Sequence, residues 1–137
     1  MKLNIKRRAL SLFTVICLIA LFAFSASAYH FRGYFSRNVG YANQPAYSDD
    51  LYKVGSQGKW AVSCIANSKS ANMKYEIVNS NGDQRGLGIT SSSTFGPTEL
   101  NCTGETGHVY RLKVSKTGSN PLAAYPIEAY WDTDANP

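Results

Sequence analysis

Residues 109–115 read VYRLKVS, and this stretch decides the predicted fold. Its apolar and polar residues alternate, so that one face carries Tyr110, Leu112 and Val114. Alternation with a period of two is typical of a β-strand that has one buried face. The same alternation occurs at residues 59–64, 73–79 and 125–131. No segment after residue 28 places apolar residues at helical spacing over three turns, so the sequence predicts an all-β fold.

Turn residues separate these predicted strands. Residues 55–58 read GSQG, 81–83 read NGD, 104–107 read GETG and 118–121 read GSNP. Glycine and asparagine adopt the backbone conformations that tight turns need. Pro126 has no N–H to donate to a neighbouring strand, so we expect the last strand to lie at a sheet edge or to be bulged there. Roughly five to eight short strands at this spacing predict a small antiparallel β-sandwich.

Two cysteines, Cys64 and Cys102, fall on the apolar faces of their predicted strands. An isolated pair of cysteines in an exported protein most simply forms a disulfide. In the chain-entropy model such a bridge contributes about 4 kcal/mol, less any strain. A metal site would need two further ligands, and neither His30 nor His108 has metal-like spacing from a cysteine. We therefore predict a Cys64–Cys102 disulfide and no metal site.

The first 28 residues have the three parts of a secretory signal peptide. A basic start at residues 2–8 precedes an apolar segment, and residues 26–28 (ASA) supply the small side chains of a cleavage site. The uninterrupted apolar stretch, residues 13–24, is shorter than the ~20 residues of a membrane-spanning helix. We therefore expect cleavage after Ala28, a secreted extracellular protein, and no membrane contact once the signal peptide is removed.

Removal of residues 1–28 changes the charge of the protein. The chain has 14 basic and 9 acidic residues, and four of the basic ones lie before residue 9. The remaining ten basic and nine acidic residues nearly cancel, which leaves a net charge of +1. A near-neutral protein lacks the positive field that phosphate backbones require, so nucleic acid is not an expected partner.

Several strings between residues 49 and 131 occur in a fixed order. They are DDLYKV at 49–54, GKWAVS at 58–63, KYEIVNSNG at 74–82 and GHVYRLKV at 107–114. This series resembles the bacterial pre-peptidase C-terminal domain, a family usually appended to secreted peptidases. The resemblance implies a jelly-roll-like sandwich that binds substrate or matrix, with calcium binding in some members. With the predicted strands, it places the sandwich domain at residues 49–137.

Residues 29–48 are predicted to form an aromatic-rich N-terminal arm. Fourteen aromatic residues follow residue 28, more than we expect one small core to bury. Four lie on apolar strand faces and are assigned to the core, namely Trp60, Tyr75, Tyr110 and Trp131. Five others are expected to be partly exposed and to bind a partner, namely Tyr34, Phe35, Tyr41, Tyr47 and Tyr130. The alternative is that the aromatic residues of the arm pack on the sandwich and cover an edge strand.

The sequence has no motif of a common catalytic site, such as G-x-S-x-G, H-E-x-x-H or a phosphate-binding loop. Carboxylates at Asp49-Asp50 and at Asp132 and Asp134 could bind calcium, but one pair falls short of the roughly six oxygen ligands that calcium takes. The sequence therefore predicts a secreted, non-catalytic, monomeric module without a cofactor, which binds an extracellular polysaccharide or protein. The alternative is a small secreted toxin or antimicrobial protein, which a compact disulfide-bonded form would suit.

Overall fold

The computed structural model describes residues 30–118 and 122–135, and the predicted signal peptide at 1–28 lies outside this part. The described residues form the strands β1 (Gly33–Val39), β2 (Ala46–Tyr47), β3 (Leu51–Tyr52), β4 (Lys59–Asn67), β5 (Met73–Asn79), β6 (Ile89–Ser91), β7 (Phe95–Asn101), β8 (Val109–Lys116) and β9 (Tyr125–Asp132). A short 3-10 turn, Tyr41–Asn43, connects β1 to β2. Within these ranges, no helix has the length and apolar composition needed to cross a membrane.

The strands form two antiparallel sheets. Sheet A has the order β1-β9-β4-β7, and sheet B has the order β2-β8-β5-β6, with β3 also paired to β8. Most connections cross from one sheet to the other, so strands that follow each other in sequence, such as β8 and β9, lie in different sheets. The prediction of an all-β fold with two antiparallel sheets is confirmed.

The core lies between the two sheets and contains inward-facing side chains of both. Sequence alternation identified the large members of this core, since Trp60, Tyr75, Tyr110 and Trp131 are all buried. Successive side chains of a strand point to opposite faces of its sheet. The residues between these core positions therefore form the outer faces, and any binding surface on the sheets lies there.

The segment predicted to be an arm contributes strands to both sheets. β1 pairs with β9 along its whole length, and β2 pairs with β8. Phe35 and Val39 face the core, and Phe35 is 1% exposed, so the prediction that Phe35 is a partly exposed binding residue is wrong. The sequence did not show alternation here, because residues 36–38 are all polar. Arg37 occupies the inward-facing position of the three, but it lies at the edge of the sheet and remains exposed.

The predicted disulfide is wrong, because Cys64 and Cys102 are both free and buried. In the pairing of β4 with β7, Cys64 lies opposite Phe95, and Cys102 directly follows the pair formed by Lys59 and Asn101. The two cysteines are therefore separated by about six residues of strand, or roughly 20 Å. A disulfide needs Cα atoms within about 7 Å of each other. Both cysteines belong to the same core, but the register places Cys102 beyond the start of β4 and Cys64 in its second half.

The prediction that the last strand lies at a sheet edge or is bulged at Pro126 is also wrong. β9 lies inside sheet A, between β1 and β4. Pro126 is opposite Asn38 of β1, and pairing with β4 begins only at Ile127. Pro126, which has no N–H, thus lies at a point where β9 is paired only with β1. The register shift of β4 against β9 occurs between Cys64 and Ala66, away from the proline.

Candidate functional site

The five predicted binding residues lie in four different places. Tyr34 of β1 and Tyr130 of β9 are directly opposite each other across sheet A. Tyr47 lies in β2 of sheet B, Tyr41 lies in the 3-10 turn, and Phe35 lies in the core. The structure therefore brings two of the five together, although 96 positions separate them in the sequence.

Tyr34 and Tyr130 face away from the core because their strand neighbours face into it. On β1, Phe35 is buried, so Tyr34 points to the outer face. On β9, Ala129 and Trp131 are buried, so Tyr130 does the same. The exposed fractions of the two tyrosines are 50% and 41%, respectively.

Three aromatic rings are in contact on this face. The Tyr34 and Tyr130 centroids lie 5.3 Å apart at an interplanar angle of 43°, and the Phe31 and Tyr130 centroids lie 6.1 Å apart at 17°. We call Phe31, Tyr34 and Tyr130 the aromatic surface. Phe31 was not among the predicted binding residues. It precedes β1, so strand alternation could not place it, and its position in the aromatic-rich segment was the available signal.

Beyond Tyr130, the outer face of sheet A continues onto β4. Ser63 of β4 lies opposite Tyr130 on the side away from Tyr34, and it is buried despite its outward position. Its hydroxyl donates to the Phe95 carbonyl oxygen at 3.0 Å. Ile65, which follows on β4, is 43% exposed. The rings are therefore bordered on this side by the small Ser63 and the exposed Ile65, and on the side of Tyr34 by a cavity that also includes Asp49 and Asp50.

Glu128 is the next outward-facing residue of β9 and lies opposite Ser36 of β1. The proximity of the Glu128 carboxylate to the Tyr34 hydroxyl is the main reason why the pKa of Tyr34 is raised. Elsewhere on this face, Lys59 pairs with Glu99 at 3.0 Å. Among the ion pairs of the described residues, none includes Glu128.

The ring geometry restricts what this surface can bind. A cage for a quaternary ammonium ion needs space for the cation between aromatic faces. Here the rings contact one another, so no such space exists between them. Their exposed faces can instead pack against a flat ligand, and aromatic faces carry the negative side of the ring quadrupole, which attracts C–H groups.

Tyr47 belongs to a different environment on the outer face of sheet B. Its ring lies 5.6 Å from the Arg111 guanidinium carbon, in a cation–π contact. Arg111 Nη2 also donates to the Ser80 carbonyl oxygen at 2.6 Å, and its Nε lies 3.3 Å from Asp50. The Tyr47 ring therefore packs against Arg111 of the same chain and does not extend the aromatic surface.

A polar cleft of about 270 Å³ lies at one end of sheet B, lined by Arg85, Glu105, His108 and neighbouring residues. His108 Nε2 lies 3.5 Å from the Glu105 carboxylate, and both side chains are largely exposed. The histidine thus pairs with a carboxylate rather than with a hydroxyl, whereas a general base must reach the proton of a nucleophile. We assign this cleft no function.

A charge cluster with three buried side chains, Lys53, Asp132 and Asp134, lies at the end of sheet A next to Phe31. Asp134 Oδ1 accepts from Lys53 Nζ at 2.8 Å, and Asp134 Oδ2 accepts from Arg32 Nη2 at 2.8 Å. Arg32 Nε also donates to Asp132 at 2.8 Å. Burial acts to raise the pKa of Asp134, but the hydrogen bonds from Lys53 and from the Val54 and Gly55 N–H groups outweigh it, so the pKa is lowered. We call Arg32, Lys53, Asp132 and Asp134 the charge cluster.

The charge cluster leaves Asp132 and Asp134 unsuited to calcium. Both carboxylates are buried and accept from cationic side chains, which would repel a divalent cation. In the part of the chain that the structure describes, no group of three or more His, Cys, Asp or Glu side chains could hold a metal ion. The cluster instead ties Arg32, which precedes β1, to the residues that follow β9.

No family model, curated protein or solved structure matches this chain. The resemblance to the pre-peptidase C-terminal domain therefore stays a prediction.

Proposed function

We propose that the protein is a secreted, non-catalytic module that binds an extracellular polysaccharide through the aromatic surface of sheet A. The observation that carries this proposal is the contact of three partly exposed rings on the outer face of sheet A. Large exposed aromatic groups in contact with each other are uncommon unless they serve in recognition. The pyranose ring of a sugar has an apolar C–H face, and this face packs on an aromatic ring.

Two features favour a polysaccharide over a protein partner. Outward-facing hydrogen-bonding side chains continue from the rings along β1 and β9, namely Ser36, Asn38 and Glu128. Such a row suits a hydroxyl-rich chain that lies along the strands. The apolar part of the face is also small, because it consists of three rings and Ile65, whereas a stable protein interface buries about 800 Å² on each partner.

The strand order supports the same proposal by analogy. We interpret the order β1-β9-β4-β7 facing β2-β8-β5-β6 as that of a jelly roll. Lectin domains are among the proteins that use this architecture. A fold hosts many functions, so the aromatic surface carries more weight than the fold. The alternative function, a small toxin or antimicrobial protein, loses the disulfide-bonded form that suited it.

Co-sedimentation of the purified protein with insoluble cellulose, chitin and cell-wall preparations tests this proposal. We expect the wild type to bind at least one of them, and Tyr34→Ala/Tyr130→Ala to lose that binding. The matched control is Tyr41→Ala, since Tyr41 is 66% exposed but lies in the turn away from the surface. Urea unfolding of each variant checks that the fold is retained.

Two outcomes would overturn the proposal. One is that the wild type binds none of these polymers, including the case in which it captures a protein instead. The other is that Tyr41→Ala and the double variant lose binding equally while both remain folded. If the double variant does not fold, the single variant Tyr34→Ser on the edge strand β1 replaces it in the binding assay.

A further inference from the structure

A carboxylate lies next to the rings of the aromatic surface. Glu128 follows Tyr130 by two positions on β9, so both side chains point to the outer face. It is also diagonal to Tyr34 across the pair of strands, within reach of a long side chain on the same face. A ligand that stacks on Tyr34 and Tyr130 must therefore lie near a negative charge.

This charge distinguishes between classes of glycan. An ionised carboxylate accepts hydrogen bonds only, so it binds the hydroxyl groups of a neutral sugar. Hydrogen bonds to a charged acceptor are also stronger than those between neutral groups. A sugar that carries a carboxylate or sulfate at the same place meets like-charge repulsion, which is largest where solvent is partly excluded.

The polar row along β1 extends the contact in one direction. Tyr34, Ser36 and Asn38 face outward in turn, and Ser36 lies opposite Glu128. Four residues of strand cover about 13 Å. One sugar can thus stack on the rings while the next ones in the chain reach Glu128, Ser36 and Asn38 with their hydroxyl groups.

We propose that Glu128, which lies beside the aromatic surface on the same face, makes the site selective for neutral, hydroxyl-rich glycan chains over anionic ones. This inference rests on the proposed function and adds the charge class of the ligand. It makes Glu128 a specificity-determining residue rather than a source of affinity alone, because its negative charge acts against one class of polymer and favours the other.

Two polymers with the same backbone and different charge test the selectivity. Hydroxyethyl cellulose with carboxymethyl cellulose forms one such pair, and glycol chitin with carboxymethyl chitin forms another. Affinity gel electrophoresis measures the binding of wild type, Glu128→Gln and Glu105→Gln to each polymer. Glu105→Gln makes the same change in net charge at a largely exposed residue of the polar cleft, so it is the matched control.

We expect wild type to bind a neutral polymer about tenfold more tightly than its anionic partner in low salt. In Glu128→Gln the ratio should fall to within about twofold, and in Glu105→Gln it should stay at the wild-type value. Gln has nearly the same size and shape as Glu, and the rings contact each other directly, so they keep their arrangement. Salt at about 1 M should reduce the wild-type ratio, because it screens exposed charges beyond ~3 Å.

The failure of this inference differs from the failure of the proposed function. If the wild type binds both members of a pair equally, or prefers the anionic one, Glu128 does not select and the polysaccharide site stands. If Glu128→Gln leaves a tenfold ratio unchanged, Glu128 again does not select between the polymers, and the polysaccharide site stands. If the wild type binds no neutral or anionic polymer of either pair, both the inference and the polysaccharide site are overturned.

Discussion

Asp134→Asn should strongly destabilise the protein, because the Asp134 carboxylate accepts from four donors. These are Lys53 Nζ at 2.8 Å, Arg32 Nη2 at 2.8 Å, and the backbone N–H groups of Val54 at 3.0 Å and Gly55 at 3.1 Å. An asparagine side chain has one acceptor oxygen, and its NH2 group would face donors. The substitution also leaves the buried Lys53 ammonium without its counter-charge.

The expected loss is about 3–5 kcal/mol in the free energy of unfolding, the usual cost of removing one partner from a buried ion pair. Small domains have total stabilities of about 5–15 kcal/mol, so this loss is a large fraction. Urea unfolding followed by the fluorescence of the buried Trp60 and Trp131 measures it as a lower midpoint. Asp49→Asn is the control, because the Asp49 side chain is 94% exposed and its pair with Arg37 contributes at most about 1 kcal/mol.

The same reasoning predicts an acid dependence with a definite sign. The folded-state pKa of Asp134 is lowered, so its stabilisation is present above the unfolded value of about 3.9. It is lost as the pH falls through the lower, folded-state pKa. Wild type should therefore lose stability below about pH 4, and Asp134→Asn should lose less. A loss under about 1 kcal/mol at pH 7, or an unchanged acid slope in the variant, would refute the view that this cluster is desolvated and stabilising.

Three further predictions concern the core, the thiols and export. Phe35→Ala should cost about 3–5 kcal/mol in urea unfolding, because it leaves a cavity in the core, and a cost below 1 kcal/mol would mean that the ring is not buried. Mass spectrometry after alkylation of the unreduced, unfolded protein should find Cys64 and Cys102 both modified, whereas a mass two hydrogens lower would indicate a bridge. N-terminal sequencing of protein from the medium should begin at Tyr29, and an intact precursor held in the membrane would contradict cleavage.

Local features were predictable from the sequence because alternation is local. The predicted strand at 73–79 coincides with β5, and those at 109–115 and 125–131 each fall one residue short of β8 and β9. The core aromatic residues followed from the same pattern. Alternation failed in β1, where polar residues occupy positions 36–38 around a single inward-facing arginine.

Contacts between distant segments were not predictable, since alternation says which face a residue occupies and not which residue lies opposite. Cys64 and Cys102 share the core side, but strand register separates them. Register also brings Tyr130 to Tyr34. The pairing of Arg32 with Asp134 depends on how the last described residues fold back beside β3, which no period in the sequence encodes.

The most direct test of the central claim is to map bound ligand on the protein by NMR. Amide shifts of labelled protein would be followed during titration with soluble oligosaccharides of cellulose and chitin. The account predicts the largest changes at residues 31–38 and 126–131, which include the aromatic surface and the polar row beside it. It would be contradicted if the changes fell on the outer face of sheet B around Tyr47 and Arg111, or in the cleft at His108, or if no oligosaccharide produced any change.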